Sequence, residues 1–440
     1  MGELGAGEGE DPSLGELLAA RRALSTHAMD GLCFEGVPLN LIADRFGTPT
    51  YVYGAGMIRT QYAKLTGALQ QAGMDVAIHY AVKANDHLAI LNLLRGLGAG
   101  ADVVSSGELA RARKVGIASN HIVFSGVGKT AAEIDFALAE DVGQINVESS
   151  EELAMISARA VTLGKIARVA LRVNPDIDAG THHKISTGRA EDKFGIPFGD
   201  VASLYVHAAG LPGVRPVGIA MHIGSQILEM APYRAAFAAA AQLVHQLRDL
   251  RQNVEVVDCG GGLGIDYRGQ TEASPLAFAH AMRASLHNLG VRLMIEPGRF
   301  LVGPAGLLLA SVIREKHTGD RRFVVLDAAM NDLLRPSLYE AWHGILPVAP
   351  AALHAAVTAA DVVGPICESG DIFARGRMLP VLAEGDRVAL LDAGAYGAAM
   401  SSNYNARPRA AEVLVDCGTA HLIRARPAVE ELWAGEMVPG

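Results

Sequence analysis

From about Met74 to Phe300, short apolar runs alternate with stretches rich in Ala and Leu. The runs are VAIHYAVK, ADVV, HIVFSG, GQINVES, RVALRVN, VGIAMHIG, VEVVDCGGG and LMIEPGR. Each reads as a β-strand. In HLAILNLLRGLG, apolar residues recur three and four apart and glycine closes the run, as in an amphipathic helix. Eight strand–helix units in one stretch predict a closed barrel rather than an open doubly wound sheet. The one long break, DIDAGTHHKISTGRAEDKFGIPF, follows the fifth strand. Its Gly, Asp and Thr content reads as a functional loop rather than a piece of scaffold.

After about residue 308 the rhythm changes. LLLASVIREK, RFVVLDAA, AADVVGPIC, RVALLDAG and EVLVDCG resemble strands without regular crossover helices. The expected fold class is therefore α/β: a (β/α)8 TIM-type barrel with a second, mostly antiparallel β domain. No solenoid-type repeat is present.

Composition narrows the function. Half of the 440 residues are hydrophobic, enough for a large core, and the net charge is −9 with no long Lys/Arg run. Nucleic acid and membrane surfaces are therefore not expected partners. Four scattered cysteines, Cys33, Cys259, Cys367 and Cys417, lack metal-finger or CxxC spacing and read as reduced thiols. The acidic start MGELGAGEGEDPSLGE lacks the basic and apolar parts of a signal peptide, and no apolar run reaches about 20 residues. The expected location is cytoplasmic.

In a barrel of this kind the site lies at the C-terminal ends of the strands. Those ends carry Lys83, Asp102, Ser125, Glu148, Arg172 with Asn174, His222, Gly260–Gly262, and Glu296 with Arg299. Strand ends meet water and are often polar for that reason alone, which leaves Asp102, Ser125 and Glu148 open. Lys83 and His222 sit inside strongly apolar runs. A lysine at the end of a buried strand loses hydration, so its neutral amine is available for Schiff-base chemistry. The alternative is a lysine that reaches past the rim to water. Three adjacent glycines after the seventh strand and EPGR after the eighth stand where such barrels commonly seat a phosphate. Glu296 could hold a protonated ring nitrogen or form a buried ion pair. His222 could lie on a cofactor ring, serve as acid or base, or be structural. His182 and His183 are adjacent and lack a carboxylate at metal spacing, so no metal site is expected.

Seven segments stand in order: YAVKAN (80–85), DVVSSGEL (102–109), HIGSQ (222–226), GGGLG (260–264), EPGR (296–299), CESGD (367–371) and DAGAYG (392–397). Together they resemble the fold-type III pyridoxal-phosphate decarboxylases, most nearly the bacterial diaminopimelate decarboxylases. The likeness runs from GTPTYVY at 47–53 to RPRAAEVLV at 407–415. It implies pyridoxal 5′-phosphate carried on Lys83 as a Schiff base, His222 against the ring and Glu296 at the ring nitrogen. It implies that Ser225, Gly260, Gly261, Gly262, Gly298, Arg299 and Tyr396 hold the phosphate end. It also implies a homodimer with shared active sites, in which Cys367 and Glu368 are supplied across the interface. On the residues alone, Cys367 would be an ordinary buried thiol. The chain departs from the family pattern at Asp266, Phe300 and Ser106, none of them a reacting group. With the N-terminal segment helping to build the β domain, the expected organisation is a tail at 1–15, that segment at 16–46, the barrel at 47–308, the β domain at 309–425 and a tail at 426–440.

The implied reaction is removal of carbon dioxide from an amino acid, with Lys83, Cys367 and His222 as the catalytic set. A diaminopimelate-like substrate has a distal carboxylate and ammonium. Arg299 and Arg335 suit the carboxylate, with Tyr339 four residues after Arg335, and Glu368 suits the ammonium; the resemblance adds Tyr396 to the substrate-binding set. A decarboxylase of ornithine, arginine, lysine or a carboxylated polyamine is the nearest alternative. A non-catalytic regulatory relative and an alanine racemase are further ones.

Overall fold

The computed structural model describes residues 11–178, 193–270 and 273–439. The chain divides into two compact units. One is Gln61–Ile265 with Glu272–Phe300; the other is Met1–Thr60, Asp266–Thr271 and Leu301–Gly440.

The first unit is the barrel. Its strands are Val76–Ala81, Gly100–Val103, Ile122–Phe124, Gln144–Val147, Ala167–Asn174, Val214–Met221, Val256–Asp258 and Arg292–Ile295. Neighbours run parallel, and the eighth pairs back onto the first through Leu293 with Val76 and Ile295 with Ile78, so the sheet closes. These are the eight runs that the apolar pattern predicts. They are almost wholly buried because helices cover the sheet outside while side chains fill it inside. A two-residue strand, Ile196–Pro197, lies parallel to the end of the fifth. Of the expected loop at 176–198, residues 179–192, including His182 and His183, lie outside the described residues.

The loops that follow the strands end in helix caps. Ser105, Thr130, Ser149 and Ser274 each accept from the N–H three residues on, which starts the helices Ser106–Lys114, Ala131–Ala139, Ser150–Leu163 and Pro275–Leu286. At Ser106, one of the departures from the family pattern, the backbone N–H donates to Glu133 Oε1 at 3.1 Å. Phe300 is a buried core residue whose carbonyl accepts from Gln61 Nε2 at 2.9 Å. Beyond the third strand, Lys129 is buried, and its Nζ donates to Gly126 O, Asn146 O and Glu152 Oε1 at 2.6, 2.7 and 2.8 Å. It ties the third and fourth strand–helix loops together.

The second unit is built on a nine-stranded sheet. Along its main path lie Ile372–Pro380, Val357–Val363, Arg321–Leu326, Gly306–Thr318, Thr50–Gly54, Ala411–Asp416 and Thr419–Arg424; Arg387–Leu390 and Ile345–Pro347 branch from Gly306–Thr318. Most pairings are antiparallel, and two are parallel. Thr50–Gly54 falls within the expected barrel span 47–308, and here it pairs with Gly306–Leu309 and Ala411–Val415 of the sheet. The N-terminal segment forms a three-stranded sheet, Leu24–His27, Gly31–Phe34 and Val37–Pro38. Its Leu24, Leu32 and Phe34 join one core with Leu307, Leu309, Ala389, Val413 and Val415. Of the expected tail at 1–15, residues 11–15 are described. Ser13 and Glu16 form a capping box that starts the helix Leu14–Ala19. At the other departure, Asp266 Oδ1 accepts from the N–H groups of Arg268 and Gly269, which shapes a turn. Among the described residues no helix is long and apolar enough to cross a membrane.

Replacing Lys129 by Met should lower stability by about 3–5 kcal/mol, because the buried Glu152 carboxylate loses its cation. The urea midpoint of the barrel transition reads this directly. A loss below about 1 kcal/mol would mean that the pair is not what ties these loops together.

Candidate active site

The register of the first two strands sets the centre of the site. Ala81 lies beside Asp102. Two residues on, Lys83 stands in the tight turn Val82–Ala84, with Nζ 3.4 Å from Asp102 Oδ2. Lys83 is half-buried, so the outcome at this strand end is neither a lysine in open water nor one sealed in the core. Asp102 is wholly buried, and its Oδ1 has no hydrogen-bond partner among the described residues. Glu108, one turn into the next helix, accepts from Val104 N at 2.8 Å. Burial, with Asp102 adding to it, pushes its carboxyl up to about 7.

On the other side of the first strand, the seventh and eighth strands end in two further carboxyls, Asp258 and Glu296. Asp258 accepts from Gly260 N at 3.0 Å and Asn146 Nδ2 at 3.3 Å. Asn146 also donates to Ser125 Oγ and accepts from Gln144, so a polar chain crosses the interior. Glu296 Oε1 is buried without a hydrogen-bond partner among the described residues. Burial, then the charges of Asp102 and Asp258, hold the Glu296 carboxyl well above the usual range, while Lys83 pulls it down. Burial likewise raises Asp258 to about 6, against hydrogen bonds that favour its charged form. Three carboxyls around one lysine exceed its charge, so this site attracts a second cation.

The triple glycine threads between the ends of the sixth and eighth strands. A Cβ on Gly260 (φ +67°) would stand 2.1 Å from Met221 O, and one on Gly261 would stand 2.1 Å from Glu296 O. No larger residue fits there. Gly261 N donates to His222 Nδ1 at 3.2 Å, so the imidazole proton is on Nε2. Burial, helped by Lys83 and Arg172, holds the pKa of His222 well below its ordinary value, which keeps the ring neutral. The first two glycine N–H groups are thus committed to Asp258 and His222. Of the three, only the N–H of Gly262 has no partner among the described residues. Arg299 Nη2 donates to Ser225 Oγ at 3.0 Å, joining the loops after the sixth and eighth strands. Gly298 lies where a Cβ would stand 2.9 Å from the Ala84 side chain. Arg172 pairs with Glu148 at 2.7 Å, whose other oxygen accepts from Gly195 N.

The barrel therefore brings together Lys83, His222, Ser225, Gly260–Gly262, Glu296, Gly298 and Arg299. The remaining expected residues lie in the β-rich unit. Arg335 is buried, with Nη1 2.8 Å from His343 Nε2 and its guanidinium 4.8 Å from the Tyr267 ring. Tyr339 closes the same short helix, Arg335–Tyr339. Ser337 of that helix donates to Gly370 O, which ties it to the segment that carries Cys367 and Glu368. Glu368 Oε2 accepts from Tyr404 OH at 2.9 Å. Cys367 is exposed, against the ordinary expectation of a buried thiol: its N–H is held by Asn405 Oδ1 on an outer turn. Tyr396 occupies a left-handed turn, φ +56°. Glu108 and Asp258 were not picked out from sequence. Asp258 ends an apolar strand just as Glu296 does, and that signal could have found it. Glu108 bears no such mark. Among the described residues no three His, Cys, Asp or Glu side chains gather as a metal site.

The family described as "Pyridoxal-dependent decarboxylase, pyridoxal binding domain" matches residues 56–303. The chain belongs to this family, whose cofactor is pyridoxal 5′-phosphate. It is 48% identical over 404 residues to the diaminopimelate decarboxylase of Pseudomonas aeruginosa, covering 91% of this chain and 96% of that one. Among solved structures it resembles the diaminopimelate decarboxylase of Helicobacter pylori complexed with L-lysine (TM-score 0.86, 40% identity, 90% of this chain and 98% of that one). It also resembles the M. jannaschii diaminopimelate decarboxylase in co-complex with L-lysine (TM-score 0.89, 35% identity, 96% and 99%).

The raised carboxyls give a pH signature. In the unfolded chain Asp258 and Glu296 ionise near pH 4, whereas the folded barrel keeps their protons to higher pH. Their stabilising contribution is complete below the unfolded values and is lost as pH rises, first through the Asp258 value of about 6. Asp258→Asn should flatten this fall in the cofactor-free protein, as read from urea midpoints between about pH 4.5 and about pH 6.5. Equal slopes in wild type and variant would refute the coupling.

Proposed function

We propose that this chain decarboxylates meso-2,6-diaminopimelate to L-lysine and carbon dioxide, the last step of lysine biosynthesis, with Lys83 holding the cofactor. The observation that carries the reading is the barrel mouth where Lys83, Asp102, His222 and the partnerless oxygen of Glu296 meet. The donor set fits pyridoxal phosphate on that ground: a protonated ring nitrogen would satisfy Glu296 Oε1 and supply the cation that three carboxyls lack. Bound there, the cofactor supplies an electron sink for the pair left behind when carbon dioxide departs.

The chain's own residues do the rest. Asp102 holds the Lys83 amine in place and stabilises its ammonium form when it carries a proton. His222, neutral and fixed by Gly261, offers a flat face without adding charge. The N–H of Gly262, with Ser225, Arg299 and the backbone at Gly298, suits a phosphate, and the family resemblance supports adding Tyr396. The carbon that loses the carboxylate needs one proton in its place, and the Cys367 thiol would supply it. Cys367 and Glu368 act across the interface of a homodimer, a reading supported by the exposure of Cys367 and by the family resemblance. The family resemblance supports Arg299, Arg335, Tyr339 and Tyr396 as residues for the distal carboxylate end, and Glu368 for the distal ammonium. The M. jannaschii and H. pylori proteins solved with L-lysine support a substrate whose product is lysine. The likeness to a lysine/ornithine decarboxylase of Vibrio vulnificus, at 24% identity, extends to the fold alone.

Lys83→Ala should abolish carbon dioxide release and leave no cofactor that borohydride can fix to the chain; normal turnover by that variant would end the reading. Arg335→Ala should weaken binding of diaminopimelate by about 2–5 kcal/mol, far more than that of ornithine, which has no distal carboxylate. Equal losses for both would remove Arg335 from substrate choice.

A further inference from the structure

Arg335 is among the most buried cations of the β-rich unit, at 5% exposure. The helix that it opens ends at Glu340 in the left-handed region, φ +53°. The chain reverses there and brings His343 back to the guanidinium, 2.8 Å from Nη1 to Nε2. A guanidinium can only donate, so His343 Nε2 is the acceptor and the ring proton is on Nδ1. Leu391 O stands 2.7 Å from Nδ1 and receives that proton. His343 is thus a neutral, oriented acceptor for Arg335.

His343 is also gripped through its backbone. Arg377, from the strand Ile372–Pro380, donates from Nη1 to His343 O at 2.8 Å. The same guanidinium lies 4.3 Å from the ring of Trp342, the preceding residue, and Arg268 lies 5.0 Å from that ring. Two guanidinium groups against one indole repel each other. Arg377 is buried as well, and burial, with Arg268 adding to it, lowers its pKa to about 10.

The charge that offsets this comes from the N-terminal segment. Asp11 Oδ1 accepts from Arg268 Nη1 at 2.8 Å and from Trp342 Nε1 at 2.9 Å, and Asp11 Oδ2 lies 3.2 Å from Arg377 Nε. Among the described residues, Asp11 is the one carboxylate within ion-pair distance of Arg377. We propose that Asp11, Arg377 and His343 form a line of fixed contacts that sets the guanidinium of Arg335, so that Asp11 and Arg377 are positioning residues for recognition of the distal carboxylate. This rests on the reading of Arg335 given above. Without Asp11 the two arginines push apart, the Trp342–His343 backbone loses its grip, and Arg335 loses an oriented acceptor.

The test uses the holoenzyme and three ligands. Diaminopimelate and L-lysine both carry the distal carboxylate, whereas cadaverine carries none. Asp11→Ala should raise KM for diaminopimelate and weaken inhibition by L-lysine by about fivefold to tenfold, while kcat and inhibition by cadaverine stay within about twofold. Asp11→Glu should restore most of the loss. In an Arg335→Ala background the Asp11→Ala effect should vanish, since the two act through one group. An unchanged KM in Asp11→Ala overturns the proposal, as does an equal weakening of cadaverine or a full Asp11 effect in the Arg335→Ala background. Should Arg335→Ala itself leave KM unchanged, the substrate reading of Arg335 fails instead.

Discussion

The site depends on an excess of buried carboxyl groups over cations inside one barrel. Asp102, Asp258 and Glu296 all end strands that point to the same mouth, and Lys83 is the amine among them. Their mutual repulsion and loss of water raise Asp258 and Glu296, so the interior favours any ligand that brings a positive nitrogen. His222 stays neutral for a different reason: burial disfavours the charged ring, and Lys83 and Arg172 add to this. One cofactor with a cationic ring nitrogen and an aldehyde answers both the carboxyl excess and the waiting amine.

The backbone makes this arrangement rigid. The glycine loop passes so close to Met221 O and Glu296 O that no side chain could be added, and its N–H groups orient both Asp258 and His222. The loop therefore positions two side chains at the barrel mouth, Asp258 and His222. Caps on the helices that follow the strands hold the other loops in register, and Lys129 locks two of them together. In the β-rich unit, the buried Arg335 has a neutral and an aromatic partner, His343 and Tyr267. Such partners orient a guanidinium without cancelling the charge that a carboxylate would need.

The eight barrel strands were legible because a strand covered on both faces must be apolar throughout, and eight such runs at helical spacing allow few other folds. The same count put Lys83, His222 and Glu296 at strand ends, where each apolar run stops, without fixing what they do. The triple glycine marked a close backbone approach, and its composition alone says so. The change of pattern after residue 308 marked the second sheet.

The tertiary structure alone decided which polar groups meet. Strand register placed Asp102 beside Lys83, and barrel closure set Asp258 and Glu296 against both. The return of the chain after Glu340 joined His343 to Arg335, and Asp11 met Trp342 across 331 positions of sequence. Periodicity records which face of an element is buried, a local property of a few residues. Contacts between distant segments depend on how whole elements pack, and they leave no period to read.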